Sequence, residues 1–129
     1  MKTTRNQSQV LDILQKTSGE ISAQQLYTQL REQQSRIGLA TVYRVLKTLH
    51  IEGIIQERIS TNGEAFYSLI GQTHHHHLNC VHCGESIPIE CCPVTQQLKQ
   101  WCDDQNFKVY YHTLEFFGLC YSCQEKAAQ

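Results

Sequence analysis

The 129-residue sequence lacks any long apolar run, and charged residues make up only 18% of it. No stretch approaches the roughly 18 apolar residues that a membrane helix requires, so we expect no membrane partner. The first residues carry charges with no apolar segment behind them, which argues against a secretory signal and favours a cytoplasmic protein. The charge content is too low for a disordered, highly charged chain, and the length fits one average domain or two small ones.

Signals of catalysis are missing as well. We find no paired acids, no nucleophile motif and no phosphate-binding loop, so we expect a protein that is not an enzyme and has no small-molecule substrate. No repeat of fixed period is present, and four consecutive histidines form the one low-complexity tract. The charges divide unevenly, since residues 1–73 have a net charge of +2 and residues 74–129 a net charge of −3. This asymmetry suggests two tasks but is weak support for nucleic-acid binding by itself.

The first half has the pattern of three helices followed by a β-hairpin. Thr4 and Ser22 each precede a glutamine by three residues, which is the capping-box pattern of a helix start. Asn62 and Gly63 lie between two β-prone runs and predict a hairpin turn. Three helices and a hairpin follow one another in the winged-helix order. The third helix is predicted over residues 39–50, with an apolar face formed by Leu39, Val42, Leu46 and Leu49.

The second half mixes helix and strand signals, so the expected fold class is α+β. A proline favours an edge strand over residues 86–89, Pro93 fits a helix start, and an aromatic and β-branched run predicts a strand over 107–117. The predicted parts are a winged-helix domain over 1–72, a His-rich hinge over 73–79 and a small metal-binding α/β domain over 80–129.

Seven cysteines are the strongest signal in the composition, since a reducing cytosol disfavours structural disulfides. Two C-x2-C pairs, Cys80 with Cys83 and Cys120 with Cys123, supply four thiolates, which suits a structural tetrahedral Zn²⁺ site. The alternative is two unrelated pairs of buried or redox-active thiols. A redox C-x-x-C needs a strand before it and a helix directly after it. Glycine and proline follow the first pair instead, and the sequence stops soon after the second.

The histidine tract at 74–77 offers a second kind of metal centre. In an extended segment the side chains alternate, so His74 and His76 point one way and His75 and His77 the other, and one tract would serve two metal sites. A helical tract would break this geometry, and a solvated loop with no fixed ligand is the alternative. Cys102 is expected to pack in a helix. Other donors that we single out are Glu20, Glu57, Glu64, Glu90, Cys91, Cys92 and His112.

These motifs occur together in one order: the segment G-L-A-T-V-Y-R-V-L at 38–46, the histidine tract, Cys80-x-x-Cys83-Gly84 and Cys120-x-x-Cys123. The combination closely resembles the ferric uptake regulator family of bacterial metal-responsive repressors, over nearly the whole chain. The resemblance implies a homodimer with an N-terminal winged-helix DNA-binding domain and a C-terminal α/β dimerisation domain. It also implies a sensory metal at the hinge between the domains.

The resemblance further implies that the third helix enters the major groove of a double-stranded operator. Tyr43 and Arg44 match the DNA-contacting pair of the family, and arginine suits guanine O6 and N7. Thr41 and Lys47 are expected to contact phosphates or the groove, and Arg5 to contact the DNA backbone ahead of the first helix. The alternative for these charges is a solvated helix face.

By the same resemblance, the hinge site uses His75 and His77, and a second site uses His74 and His76 with His112. The chain departs from iron-sensing members of the family at three positions. It has Glu20 where those members commonly have a histidine, His76 where they commonly have an acidic residue, and Pro88 where they commonly have a carboxylate. The expected ligand sets are therefore His75, His77, Glu64, Cys91 and Cys92 for the sensory hinge site, and His74, His76, His112 and Glu90 for the second regulatory site.

Fewer carboxylates and more thiol and imidazole donors favour Zn²⁺ over Fe²⁺ or Mn²⁺. We therefore expect a member of the zinc uptake regulator branch, with structural and regulatory Zn²⁺, that represses zinc-uptake genes when zinc is bound. One alternative is a sister sensor of iron, manganese, nickel or peroxide. An alternative of another class is a zinc storage or delivery protein without DNA binding.

Overall fold

The computed structural model describes residues 4–71 and 76–127, which belong to two compact units, residues 1–73 and residues 74–129. Each unit contains helices and a three-stranded sheet of its own. This mixture of helices and sheets confirms the α+β fold class. Among the described residues, no helix combines the length and the apolar character needed to cross a lipid bilayer.

The first unit consists of three helices and an antiparallel sheet. In chain order its elements are α1 (Arg5–Lys16), β1 (Ile21–Ser22), α2 (Ala23–Glu32), α3 (Leu39–Ile51), β2 (Ile55–Ile59) and β3 (Ala65–Leu69). The hairpin of β2 and β3 follows the three helices, as the winged-helix order predicts. Strand β1, which the sequence pattern did not reveal, pairs with β3 and completes the sheet order β1-β3-β2.

Both predicted capping boxes are present. The Thr4 hydroxyl accepts the backbone N–H of Gln7 at 3.1 Å, and the Gln7 side chain accepts the backbone N–H of Thr4 at 3.1 Å. Ser22 and Gln25 make the same reciprocal pair at 3.1 and 3.0 Å. These bonds satisfy N–H groups that the first turn of a helix leaves unpaired, so α1 and α2 begin where the capping boxes predict.

The third helix buries one face in an aliphatic core. Val42, Leu46 and Leu49 are buried, as the apolar spacing predicts. Val45 is buried as well, whereas Leu39 is only half-buried because it occupies the first position of the helix. Each buried aliphatic side chain contributes about 1.5–3 kcal/mol relative to exposure. The core therefore fixes α3 against the other helices and leaves its opposite face free.

The second unit consists of a second sheet and two helices. In chain order its elements are β4 (His76–Cys80), β5 (Ser86–Pro88), α4 (Gln96–Asp104), β6 (Leu114–Gly118) and α5 (Tyr121–Ala127). Strand β4 is central, antiparallel to β5 and parallel to β6. Pro88 lies on the edge strand β5, where its missing N–H group is tolerated. Part of the predicted hinge, residues 76–79, thus belongs to β4.

Two boundaries in this unit differ from the sequence-based predictions. Helix α4 begins at Gln96 rather than at Pro93, because Thr95 still has an extended backbone with φ −91° and ψ 163°. The strand predicted over 107–117 is wrong over 107–113, since β6 begins at Leu114. The register pairs Leu114 with the first residue of β4, so the earlier residues have strand propensity but no neighbour in that ladder. Helix α5 was not expected.

Candidate metal centres and nucleic-acid interface

The four cysteines of the two C-x2-C pairs come together in the second unit. Cys80 ends β4, Cys83 lies in the turn that follows, and Cys120 and Cys123 flank the start of α5. Their sulfur atoms all lie within 4.8 Å of one another, and Cys83 Sγ is 3.8 Å from Cys120 Sγ. The predicted convergence of four thiols is confirmed, and the set is consistent with a closed tetrahedral zinc site.

Two thiols of this four-cysteine cluster have pKa values shifted in opposite directions. The backbone N–H groups of Cys120 and Cys83 lower the pKa of Cys80 to about 5. The Cys120 side chain, followed by burial, raises the pKa of Cys123 to about 12. Four adjacent thiolates repel one another, so the thiols do not all lose their protons in the absence of a metal. A divalent cation compensates this repulsion and displaces the thiol protons when it binds. The donor set therefore fits Zn²⁺.

A neighbour of this cluster was missed in the sequence analysis. His82 lies between the cysteines of the first pair, and its Nδ1 atom is 3.6 Å from Cys123 Sγ. The signal for it was its position inside the first C-x2-C knuckle, which brings side chains toward a shared ion. We assign it a contact with the cluster and no ligand role, since four sulfurs already complete a tetrahedron.

A second group of metal donors forms around Cys92. Its sulfur lies 3.2 Å from Nε2 of His76 and 3.1 Å from Nε2 of His112. The two imidazole rings stack with centroids 5.0 Å apart. His76 is 2% exposed on β4, whereas Cys92 and His112 are exposed. The group thus combines one buried donor on a strand with two exposed donors.

The chemistry of these three donors fits a zinc ion. Zinc binds sulfur at about 2.3 Å and imidazole nitrogen at about 2.0–2.1 Å, and three protein ligands leave a fourth position free. His76 Nδ1 accepts the backbone N–H of Leu114 at 3.0 Å, so the neutral ring carries its proton on Nε2, which faces Cys92. Metal binding at this nitrogen would therefore require the ring proton to move to Nδ1, which would give up its contact with the Leu114 N–H.

This grouping differs from the ligand sets inferred from the resemblance. Cys92, which the sequence analysis places in the hinge set, lies with His76 and His112 of the second set. Glu90 and Cys91 are exposed and join neither donor group of the described residues. His74 and His75 lie outside the described residues. The reason for the difference is geometric, since the turn after β5 brings the sulfur of only one of the two adjacent cysteines to the imidazoles.

His77 occupies the other face of β4, as strand alternation predicts. Its Nδ1 atom lies 3.5 Å from Oε1 of Glu115 on β6. Asn79 donates from Nδ2 to Oε2 of the same glutamate at 2.7 Å. Neither Asn79 nor Glu115 was singled out from the sequence. Only the parallel register, which pairs His77 with Glu115, brings these residues together.

The carboxylates of the first unit lie in two kinds of surroundings. Glu64 is exposed at the turn of the β2–β3 hairpin, where its N–H group donates to the Asn62 side chain at 3.0 Å. Glu20 accepts a forked pair of hydrogen bonds from Arg58, whose Nε lies 3.0 and 3.1 Å from its two oxygens. Arg58 in turn packs over the ring of Phe66. The Glu20 carboxylate is thus engaged by a guanidinium within its own unit.

The residues predicted to contact DNA lie on or next to helices of the first unit. Arg44, Lys47 and Tyr43 project from α3 into solvent, with Tyr43 50% exposed. Thr41 is half-buried and accepts a hydrogen bond from Arg44 Nη2 at 3.0 Å. Arg5 is exposed at the first position of α1. The free face of α3 therefore presents cationic and aromatic groups of the kind that contact bases and phosphates.

Comparison with known proteins places this arrangement in a family. Residues 1–117 match the sequence model of the ferric uptake regulator family. A ferric uptake regulation protein of Neisseria gonorrhoeae is 32% identical over 127 residues, which cover 98% of this chain and 88% of that protein. The crystal structure of the Vibrio cholerae ferric uptake regulator is 35% identical, with a TM-score of 0.63 over 93% of this chain and 92% of that one.

A structure of a zinc uptake regulator in complex with zinc and DNA is also similar. It is 27% identical, with a TM-score of 0.56 over 100% of this chain and 87% of that one. The sequence match, the shared fold and the four-cysteine cluster agree. The chain belongs to the ferric uptake regulator family of metal-sensing, DNA-binding transcription regulators.

Proposed function

We propose that this protein is a zinc-responsive repressor that binds its operator, and thereby blocks zinc-uptake genes, when its regulatory zinc is bound. The observation that carries this proposal is the convergence of His76, Cys92 and His112. A thiolate with two imidazoles favours zinc, whereas carboxylate-rich sites suit manganese and related hard ions. The similar zinc uptake regulator bound to zinc and DNA supports the same choice.

The four-cysteine cluster has a separate, structural role in this proposal. Cys80 and Cys120 join the end of β4 to the segment between β6 and α5. A metal held there fastens the two parallel strands to the last helix. Small units of this size commonly need such a fastening. This zinc stays bound when the regulatory zinc leaves.

Operator binding requires two reading helices, and we propose that a homodimer supplies them. The second unit exposes apolar side chains that a second copy of the chain would cover, among them Leu98, Trp101, Phe107 and Phe117. Each copy presents Arg44, Tyr43 and Lys47 on α3 to a half-site. Thr41 and Arg5 add contacts to the DNA backbone.

The regulatory step depends on where the ligands lie along the chain. His76 is the first residue of β4, and the segment that joins the two units directly precedes it. Ligands anchored at this point restrain the joining segment when a metal is bound. We infer that His77, on the opposite face of β4, forms a separate sensory set with His75 and Glu64, and that loading shifts the population toward pairs of reading helices with the spacing of the operator.

The proposal is tested by metal-buffered DNA binding. We would select a DNA duplex in vitro with the zinc-loaded protein and measure its affinity across a series of free-zinc concentrations. Wild type is expected to bind at least tenfold more tightly when zinc is saturating. Cys92→Ser is expected to lose this dependence, and the matched control Cys102→Ser, on α4, is expected to keep it. Zinc-independent binding by wild type would contradict the proposal.

A second candidate function is iron sensing, because the similar Neisseria gonorrhoeae protein is a ferric uptake regulation protein. The same duplex distinguishes the two metals when Fe²⁺ replaces zinc under anaerobic conditions. An iron sensor would gain DNA affinity with Fe²⁺ at concentrations where buffered zinc has no effect. A storage or delivery protein would show no sequence-specific DNA footprint with either metal at physiological salt.

A further inference from the structure

Polar side chains form a chain across the second sheet on the face where His77 lies. Ser86 Oγ on β5 donates to Oδ1 of Asn79 on β4. Asn79 Nδ2 donates to Oε2 of Glu115 on β6 at 2.7 Å, and Oε1 of Glu115 lies 3.5 Å from Nδ1 of His77. These hydrogen bonds therefore link all three strands, and they bring the Glu115 carboxylate to within ion-pair distance of an imidazole of the histidine tract.

This chain fixes the position of the Glu115 carboxylate. The side chains of Glu115 and His77 are only 20% and 10% exposed, and Asn79 is 5% exposed. Burial of polar groups is unfavourable unless they are hydrogen-bonded. The short bond from Asn79 satisfies one carboxylate oxygen and turns the other toward His77. A network of this kind holds its members in one geometry.

The carboxylate decides which nitrogen of His77 carries the proton. Nδ1 of His77 is buried and faces Oε1 of Glu115. Two unprotonated acceptors would repel each other at this place, so the proton of the neutral ring resides on Nδ1, and Nε2 keeps its lone pair. His76, the neighbour on the opposite face, has the reverse arrangement, because its Nδ1 accepts the N–H of Leu114.

We propose that Glu115 is a positioning residue that, held by Asn79, keeps the proton of His77 on Nδ1 and so presents the Nε2 lone pair to a divalent metal ion. Metal-binding histidines typically donate their other N–H to a carboxylate or a carbonyl, which fixes the tautomer and raises the basicity of the ligand. This assignment rests on the metal-sensing part of the proposed function. It does not depend on the DNA sequence that is recognised.

The first test is the tautomer of His77 in the full chain with zinc only at the four-cysteine cluster. Long-range ¹H–¹⁵N NMR spectra of the imidazoles distinguish Nδ1–H from Nε2–H, and His77→Asn assigns the signal. We expect His77 to be the Nδ1–H tautomer. In the isosteric variant Glu115→Gln the amide can also donate to Nδ1, so we expect a shift toward Nε2–H. A His77 ring that carries its proton on Nε2 in wild type would overturn the assignment.

The second test is zinc affinity, measured by competition with a chelator in the absence of DNA. Removal of such a partner weakens metal binding by about 10–100-fold, which is the loss expected for Glu115→Gln. Asn79→Leu leaves the carboxylate but removes its support, so a smaller loss is expected. Glu125→Gln, an exposed acid on α5 of the same unit, is the matched control and should bind zinc like wild type.

The outcomes separate this assignment from the proposed function. If Glu115→Gln weakens zinc binding but the DNA affinity of the wild type does not change with zinc, the repressor proposal is wrong and the role of Glu115 is supported. If DNA binding responds to zinc but Glu115→Gln changes neither tautomer nor affinity, the role of Glu115 is overturned. An unchanged zinc affinity in His77→Asn would overturn it too. Retained zinc at the four cysteines confirms that each variant is folded.

Discussion

The two units are stabilised by different kinds of buried side chain. The first unit buries aliphatic residues from three helices, such as Leu14, Leu26 and Leu46. In the described part of the second unit, the buried residues are His76, His77, Asn79, Cys80 and Cys123. The first unit can gain its stability from apolar burial alone, whereas the second buries mostly metal donors and their supports. Under the proposed function, folding and function therefore use different residues in the first unit and the same residues in the second.

Loss of the zinc that we propose at the four cysteines should have the largest effect. Cys83→Ser removes one of the converging sulfurs, and we expect the second unit to lose its cooperative fold because metal binding there is coupled to folding. Two-dimensional ¹H–¹⁵N spectra should show amides of residues 76–127 collapsing to unfolded positions while those of residues 4–71 stay dispersed. Cys102→Ser, in α4, is the control and should leave both sets in place. Dispersed signals from the second unit after zinc loss would contradict the comparison.

A cavity in the aliphatic core should have the next largest effect, confined to the first unit. Leu46→Ala removes a fully buried side chain of α3, and large-to-small changes of this type lower the free energy of unfolding by about 2–5 kcal/mol. Denaturant unfolding followed by circular dichroism measures the change. Ile51→Ala, at an exposed position of the same helix, should change the free energy by less than about 0.5 kcal/mol.

The fluorescence of Trp101 can show whether the two units unfold independently in the Leu46→Ala experiment. Trp101 is the single tryptophan of the chain and lies in α4 of the second unit, so its fluorescence follows the unfolding of that unit and of the dimer contact that we propose there. We expect Leu46→Ala to leave the fluorescence transition of the zinc-loaded protein where it is in wild type. A matching shift of the two transitions would show that the units unfold together and would weaken the contrast between them.

The features that depend on residues close together in the sequence could be predicted. The helix starts at Thr4 and Ser22 and the turn at Gly63 are each set within four residues, and Gly63 adopts a φ of +88° that favours glycine. Each C-x2-C pair is a local motif, and four thiols suited to one metal ion predict that the two pairs converge, as they do. These parts of the fold and site could be predicted with one sequence in hand.

Features that depend on pairing between residues far apart in the sequence could not be predicted. Cys92 contacts His76 and His112, which lie 16 and 20 residues away, and no spacing rule reveals which of two adjacent cysteines makes these contacts. The link between His77 and Glu115 exists only because β4 and β6 are parallel in a particular register. The same register leaves residues 107–113 outside the strand. Propensity is a property of single residues, whereas a ladder requires a partner.

The exposed face of α3 should affect DNA binding without affecting stability. Arg44→Ala removes a guanidinium that is positioned to reach a base edge, and one such contact contributes about 1–3 kcal/mol of discrimination. We expect a matching loss of affinity for the selected duplex and an unchanged unfolding transition. Arg36→Ala, an exposed arginine in the loop before α3, is the charge-matched control. Equal losses in both variants would indicate a general charge effect instead of base contact.

The smallest predicted effect concerns a helix start in the first unit, and it compares the contribution of a helix cap to stability with that of the aliphatic core. Ser22→Ala removes the hydroxyl that accepts the N–H of Gln25 at 3.1 Å, and loss of such a cap lowers stability by about 1 kcal/mol. Thr28→Ala, whose exposed hydroxyl only donates back to the Gln24 carbonyl within α2, should change stability far less. Denaturant unfolding measures both, and hydrogen exchange should place the loss of protection in the first turn of α2. If Ser22→Ala were as damaging as Leu46→Ala, the short β1 strand that Ser22 shares with Phe66 would have to stabilise the sheet as strongly as the aliphatic core does.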